Sequence, residues 1–160
     1  MIRCILLLLA LIVVAPSSMA LYGDTRALMR SSRTIPELLG RNASGGVVLV
    51  LQVKDCRRSG TLVKTWNAVD SAGRVPVAAM VVGSGRLTAA ERAVFTQDGV
   101  RFSLRGIVRT DAQAIAQKLG FRSTPFAIVF DNRGRVTGAF PADVNVPVDA
   151  LARMMAVPAS

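Results

Sequence analysis

Few side chains in this sequence can do covalent chemistry, and one of them is singled out by its place. Cys56 follows a short apolar run, Val47–Val53, and precedes a segment whose apolar residues recur at helical spacing. A thiol at the start of a helix meets free N–H groups and the positive end of the helix dipole, which favour the nucleophilic thiolate. Arg57 and Arg58 add positive charge beside it, and Asp55 opposes them. One carboxylate set against two guanidiniums and a helix end predicts a Cys56 more acidic than a free thiol. The other cysteine is Cys4, so neither a disulfide scaffold nor a Cys-rich zinc site can form. The sequence has no histidine, which removes Ser-His-Asp and Cys-His catalysis and His-ligated metals. Asp55, Asp131 and Asp143 are too scattered to make a metal cluster, so no metal and no cofactor is expected.

Length and composition bound what can hold this thiol. With 160 residues, 51% of them apolar, the chain can bury one sizeable core and is not of disordered type. Its net charge of +10 raises the question of nucleic acid or acidic partners. The arginines are dispersed, however, and aromatics are only 5%, a poor supply for base stacking, so nucleic acid is not an expected partner.

Met1–Ala20 reads as a secretory leader. Arg3 gives a short positive start, Ile5–Ala15 is the apolar stretch, and Ser18-Met19-Ala20 provides small residues for cleavage. The run is short for a transmembrane helix. The alternative is an uncleaved membrane anchor over residues 4–15. Either way the protein is expected to be exported, periplasmic or secreted, with the membrane as a partner only if the leader stays. Cleavage would remove Cys4 and leave Cys56 as a lone thiol in an oxidising compartment, where it is either protected by burial or used.

The elements that must position Cys56 follow in order. Residues 21–44 are a lead-in, with a short helix from Thr34 to Gly40, and residues 45–157 form the domain. Val47–Val53 and Val75–Val82 read as buried strands, apolar on both faces. Between them Leu62, Val63, Trp66 and Val69 mark a helix closed by Gly73, with Trp66 on the inward face as core. Thr88 and Glu91 form a capping box for the next helix. Val100–Leu104 reads as a short extended piece. A helix from Thr110/Asp111 then turns Ala112, Ile115, Ala116 and Leu119 inward and stops at Gly120. Phe126–Phe130 and Arg135–Phe140 form a hairpin about Asp131-Asn132-Arg133-Gly134, and Val148–Ala156 closes the chain with a helix. Alternation early in the chain gives parallel strands, and the late hairpin gives an antiparallel edge.

This order, with a strand running into a cysteine and Ser123-Thr124-Pro125 before a strand and a D-x-x-G-R hairpin, resembles the thioredoxin fold. The stretch from Arg101 to Pro125 and the ending from Phe126 to Val136 are similar to the TlpA-like and redoxin branch. The resemblance implies an α/β, three-layer sandwich with a mixed central sheet and a C-terminal antiparallel hairpin. It covers about Gly45–Ala156.

In that family two cysteines flank a two-residue spacer at a helix start. Here the motif reads Cys56-Arg57-Arg58-Ser59. The resemblance makes Cys56 the attacking thiol and puts Ser59 where the resolving thiol would be. Ser59 is then open to three readings: a hydrogen bond to the sulfur, a helix cap, or an ordinary first-turn polar residue. The resemblance also implies a cis bond between Thr124 and Pro125, close to Cys56, with the backbone there pairing a substrate as an added strand. Redoxins of the peroxiredoxin type carry Thr or Ser three residues before the cysteine. Val53 stands there instead, which disfavours peroxidase chemistry.

A single thiol can attack a disulfide and remain in a mixed disulfide until another thiol resolves it. The first functional reading is therefore thiol–disulfide exchange through Cys56, with protein thiols or disulfides, or a low-molecular-weight thiol, as partners. The alternative is a thioredoxin-fold binding or maturation accessory without turnover, serving a dedicated partner protein.

Overall fold

Val47–Leu51 lies at 0% exposure throughout, as an apolar, β-branched run must when both of its faces are covered. It forms all but the first residue of strand β1 (Gly46–Leu51), the centre of a five-stranded sheet. A computed structural model describes residues 45–156 of the chain, without the side chain of Arg58. The expected leader and the Thr34–Gly40 helix lie outside the described residues. After β1 come α1 (Val53–Arg58), α2 (Gly60–Ser71), β2 (Val77–Gly83), α3 (Ala89–Gln97), β3 (Ser103–Val108), α4 (Arg109–Lys118), β4 (Phe126–Phe130), β5 (Val136–Pro141) and α5 (Val148–Met155).

The sheet order is β3-β2-β1-β4-β5. β1 pairs in parallel with β2, and β2 with β3; β4 runs antiparallel to β1 and to β5. This is the mixed sheet with a C-terminal antiparallel hairpin that the sequence pattern implies.

Side-chain alternation divides the core into two layers. Val47, Leu49 and Leu51 point to one face, with Ala79, Val81, Ala127 and Val129, and are covered by Leu62, Trp66, Phe95 and Leu151 from α2, α3 and α5. Val48 and Val50 point to the other face, with Met80, Phe126 and Ile128, under Ala112 and Ile115 of α4. Fully burying each of these large apolar side chains contributes about 1.5–3 kcal/mol.

Local signals set the element ends. Thr88 Oγ1 accepts from Glu91 N at 3.2 Å and Glu91 returns a carboxylate to Thr88 N at 2.8 Å, the expected capping box. α4 ends in a Schellman motif: Gly120 takes φ +78, and Phe121 N donates to Ala116 O at 2.8 Å. The β4–β5 turn is held by Asp131, whose Oδ1 accepts from the backbone N–H of Arg133 (2.8 Å) and of Arg135 (2.9 Å). Its Oδ2 pairs with the Arg135 guanidinium at 2.6 Å. Burial raises the Asp131 pKa, but these donors together outweigh it and hold the carboxyl below its ordinary value.

Two sequence expectations shift. The strand expected over Val47–Val53 ends at Leu51, because Gln52 caps a helix that begins at Val53. The extended piece expected over Val100–Leu104 is β3, Ser103–Val108, an edge strand with only Ile107 buried. Such a strand lacks the two-faced apolar run that marks β1 and β2.

Candidate functional site

Cys56 belongs to α1, and the start of that helix decides its environment. Gln52 is the N-cap, and Asp55 reaches back to accept from Gln52 N at 2.7 Å. Cys56 is consequently the fourth helical residue rather than the first. It lies beyond the free N–H groups that were expected to acidify it. Its side chain joins the apolar layer of α2, α3 and α5, at 3% exposure. Burial first, then the carboxylates of Asp98 and Asp55, together push the thiol pKa up from 9.0 to about 12.

The direction is opposite to the acidic thiol expected from the sequence. Arg57 is exposed, and it is the two carboxylates, added to burial, that set the direction. The side chain of Arg58 lies outside the described residues. Asp98, at the end of α3, is the residue that sequence reasoning missed. One of its carboxylate oxygens is buried without a hydrogen-bond partner. Nothing local to Cys56 in the sequence signals it; only the packing of α3 against α1 brings it there.

Ser59 lies at the joint between α1 and α2. Its backbone N–H donates to Asp55 O at 3.2 Å, ending α1, and its hydroxyl accepts from Leu62 N at 3.2 Å, opening α2. Of its three readings, the helix cap is the one the geometry contains.

Thr124 and Pro125 stand at the entry to β4, both half-buried, and the bond between them is cis. β1 and β4 are paired through Val50 and Phe126, so the end of β1 that leads to α1 lies beside the Thr124–Pro125 step. Pro125 O accepts from Ala142 N at 3.1 Å. Ala142 O in turn accepts from the Trp66 indole at 2.8 Å, and Trp66 stacks on Phe140 with centroids 6.3 Å apart. Trp66, expected as core, therefore also ties α2 to the segment that holds Pro125.

A cavity of about 390 Å³ opens at the same end of the sheet. Gln52 and Thr124 line it, together with Val82, Phe126 and residues of α4. Cys56 does not line it; the cavity belongs to the face covered by α4, whereas the thiol belongs to the other face. Among the described residues no group of three or more Cys, Asp or Glu could hold a metal ion. Cys56 is the one cysteine of the described residues and is unpaired.

A cysteine-bearing helix after the central strand, two parallel crossovers and a terminal antiparallel hairpin decide the architecture. The fold is thioredoxin-like. No protein-family model matches the sequence, and no curated protein matches it either. Solved structures of similar shape include MTB DsbF in mixed oxidised and reduced forms, 16% identical, covering 75% of this chain and 82% of that one at a TM-score of 0.47. A secreted disulfide oxidoreductase of Mycobacterium tuberculosis, homologous to E. coli DsbE, is 13% identical over 71% of this chain and 81% of that one, at a TM-score of 0.42. A thioredoxin-like protein from Aeropyrum pernix is 12% identical over 81% and 96%, also at 0.42. Likeness at this level carries no activity from one thioredoxin-like chain to another.

Proposed function

We propose that this protein is a thioredoxin-fold binding or maturation accessory that receives an extended segment of a partner protein and does not turn over disulfides. The observation that carries this reading is the state of Cys56: 3% exposed and with its pKa pushed up to about 12. A thiol so buried and so weakly acidic is a packing residue at neutral pH. What remains open to a partner is the strand-end region around Thr124 and Pro125, at the carboxyl end of β1, where sheets of this class receive their ligands. The secretory reading of residues 1–20 places this work outside the cytoplasm. Among the described residues no helix is long and apolar enough to cross a membrane.

A second reading is favoured by one placement. Cys56 lies in the helix that leaves β1, and β1 is paired with the strand that begins at Pro125. A local opening of α1 would then bring a single thiol to a bound disulfide, giving monothiol exchange with protein thiols or disulfides through a mixed disulfide.

One experiment separates the two. The native chain is incubated with oxidised glutathione and with a model disulfide peptide at pH 8, and the Cys56 peptide is followed by mass spectrometry. The binding reading expects the Cys56 adduct to form at least about thirtyfold more slowly on the folded chain than in urea. An adduct on the folded chain at a rate near that of the unfolded one sinks it and supports exchange.

A further inference from the structure

The cavity at the strand ends has a composition that the proposed role of the protein does not use. Its floor is apolar: Phe121 stacks on the fully buried Phe126 with ring centroids 4.7 Å apart, and Val82, Ala112 and Ala116 complete it. Ala112 and Ala116 project only methyl groups from α4, so room remains between the helix and the sheet. The Schellman turn at Gly120 carries the chain from α4 into Phe121. The rim is cationic, with Arg109 at the start of α4 and Arg122 just after Phe121. No aspartate or glutamate lines the cavity, and no carboxylate among the described residues pairs with either arginine. Asp111 lies on the same helix and is exposed, but it is not part of the lining. Gln52, Gln113, Gln117, Ser123 and Thr124 add neutral polar groups to the lining.

We infer that this cavity is a binding site for a small amphipathic anion, with an apolar body packed on Phe121 and a carboxylate or similar oxyanion held by Arg109 and Arg122. The volume, about 390 Å³, lies in the range of sites for such molecules. An apolar floor beneath unpaired guanidiniums selects that chemistry: the floor rewards burial of a ring or short chain, and the arginines offer planar, charge-assisted donors to an oxyanion. A cation would meet two like charges, and a neutral apolar molecule would leave both unanswered. The site lies on the sheet face opposite Cys56, so it is independent of whether the thiol reacts.

The test uses 2-naphthoate as probe, titrated into the full chain and followed by NMR at the methyl groups of Ala112, Ala116 and Val82 and the ring of Phe121. Saturable shifts confined to these groups are expected. The uncharged 2-naphthamide is expected to bind about tenfold more weakly or worse, and the Arg109→Gln/Arg122→Gln double variant to lose naphthoate affinity by a similar factor. Both arginines are exposed, so their loss leaves the core intact. Ala116→Leu, which fills the floor, is expected to remove binding while its spectrum stays that of a folded chain. The inference is overturned by absence of shifts at millimolar naphthoate, by shifts centred elsewhere, by equal binding of the amide, or by unchanged binding in the arginine variant.

Discussion

The buried thiol makes a quantitative statement about exchange kinetics. At pH 8 a thiol of pKa 9.0 is about one-tenth ionised, and one of pKa about 12 about one part in ten thousand, so the thiolate of Cys56 is roughly a thousandfold scarcer. A more basic thiolate is also a better nucleophile, with a Brønsted slope of about 0.4–0.5, which over three pKa units returns a factor of about 15–30. The net effect of ionisation is then a slowing of roughly thirty- to sixtyfold, before steric protection of a side chain only 3% exposed adds to it. Reaction with oxidised glutathione is measured on the native chain and on the same chain in urea, reading the Cys56 peptide so that Cys4 does not contribute. The native rate should be at least about thirtyfold slower, with no inflection below pH 9. Asp98→Asn removes one of the charges that raise the thiol pKa, so it should speed the native reaction. Since burial is the larger cause, it should not restore the rate of the unfolded chain. A native rate within about threefold of the unfolded one, or an inflection near pH 7, would refute the burial argument and with it the binding reading.

Three further outcomes follow from particular contacts. Ser59→Ala should cost about 1 kcal/mol in urea unfolding, through loss of the α2 cap, and leave Cys56 exchange slow; a fast Cys56 in this variant would give Ser59 a role at the thiol instead. Trp66→Phe removes the donor to Ala142 O, which is buried, and should destabilise by about 1–3 kcal/mol, with the largest loss of amide protection around residues 140–143. No loss of stability there would mean that the tie between α2 and the Pro125 segment carries no energy. The Asp131 carboxyl is held below its ordinary value of 3.8, so its contribution is present above that pH and fades as pH falls through the lower folded value. Asp131→Asn should flatten this acid limb and cost about 2 kcal/mol at pH 7, the scale of a hydrogen-bonded charge pair; an unchanged acid limb in the variant would place the transition elsewhere.

The fold was legible because its signals are local. The two-faced apolar run of β1, the Thr88–Glu91 box and the Asp131–Gly134 turn each act within a few residues, and the structure contains all three. The site was legible only in position. Cys56 and Pro125 were placed by their neighbours in sequence, but the character of the thiol depends on Gln52, an unusual cap, which moves the helix start back by a turn. It depends also on Asp98, which arrives from a different helix. Neither can be read from the residues that adjoin Cys56. The edge strand β3 was misplaced for a related reason: with one buried side chain it carries no periodic pattern, and its boundaries are fixed by pairing with β2.

Ser59 closes one helix with its backbone and opens the next with its side chain. Any attempt to rebuild a two-thiol enzyme on this chain must pass through that position, and there the two demands conflict. A cysteine at residue 59 would be a poorer acceptor for Leu62 N, loosening the entry to the helix that carries Trp66. The sulfur it is meant to meet would still be facing the core. Restoring the motif by one substitution is therefore a backbone problem before it is a redox one: the start of α1 would have to move forward by a turn, which means unseating Asp55 from Gln52 first.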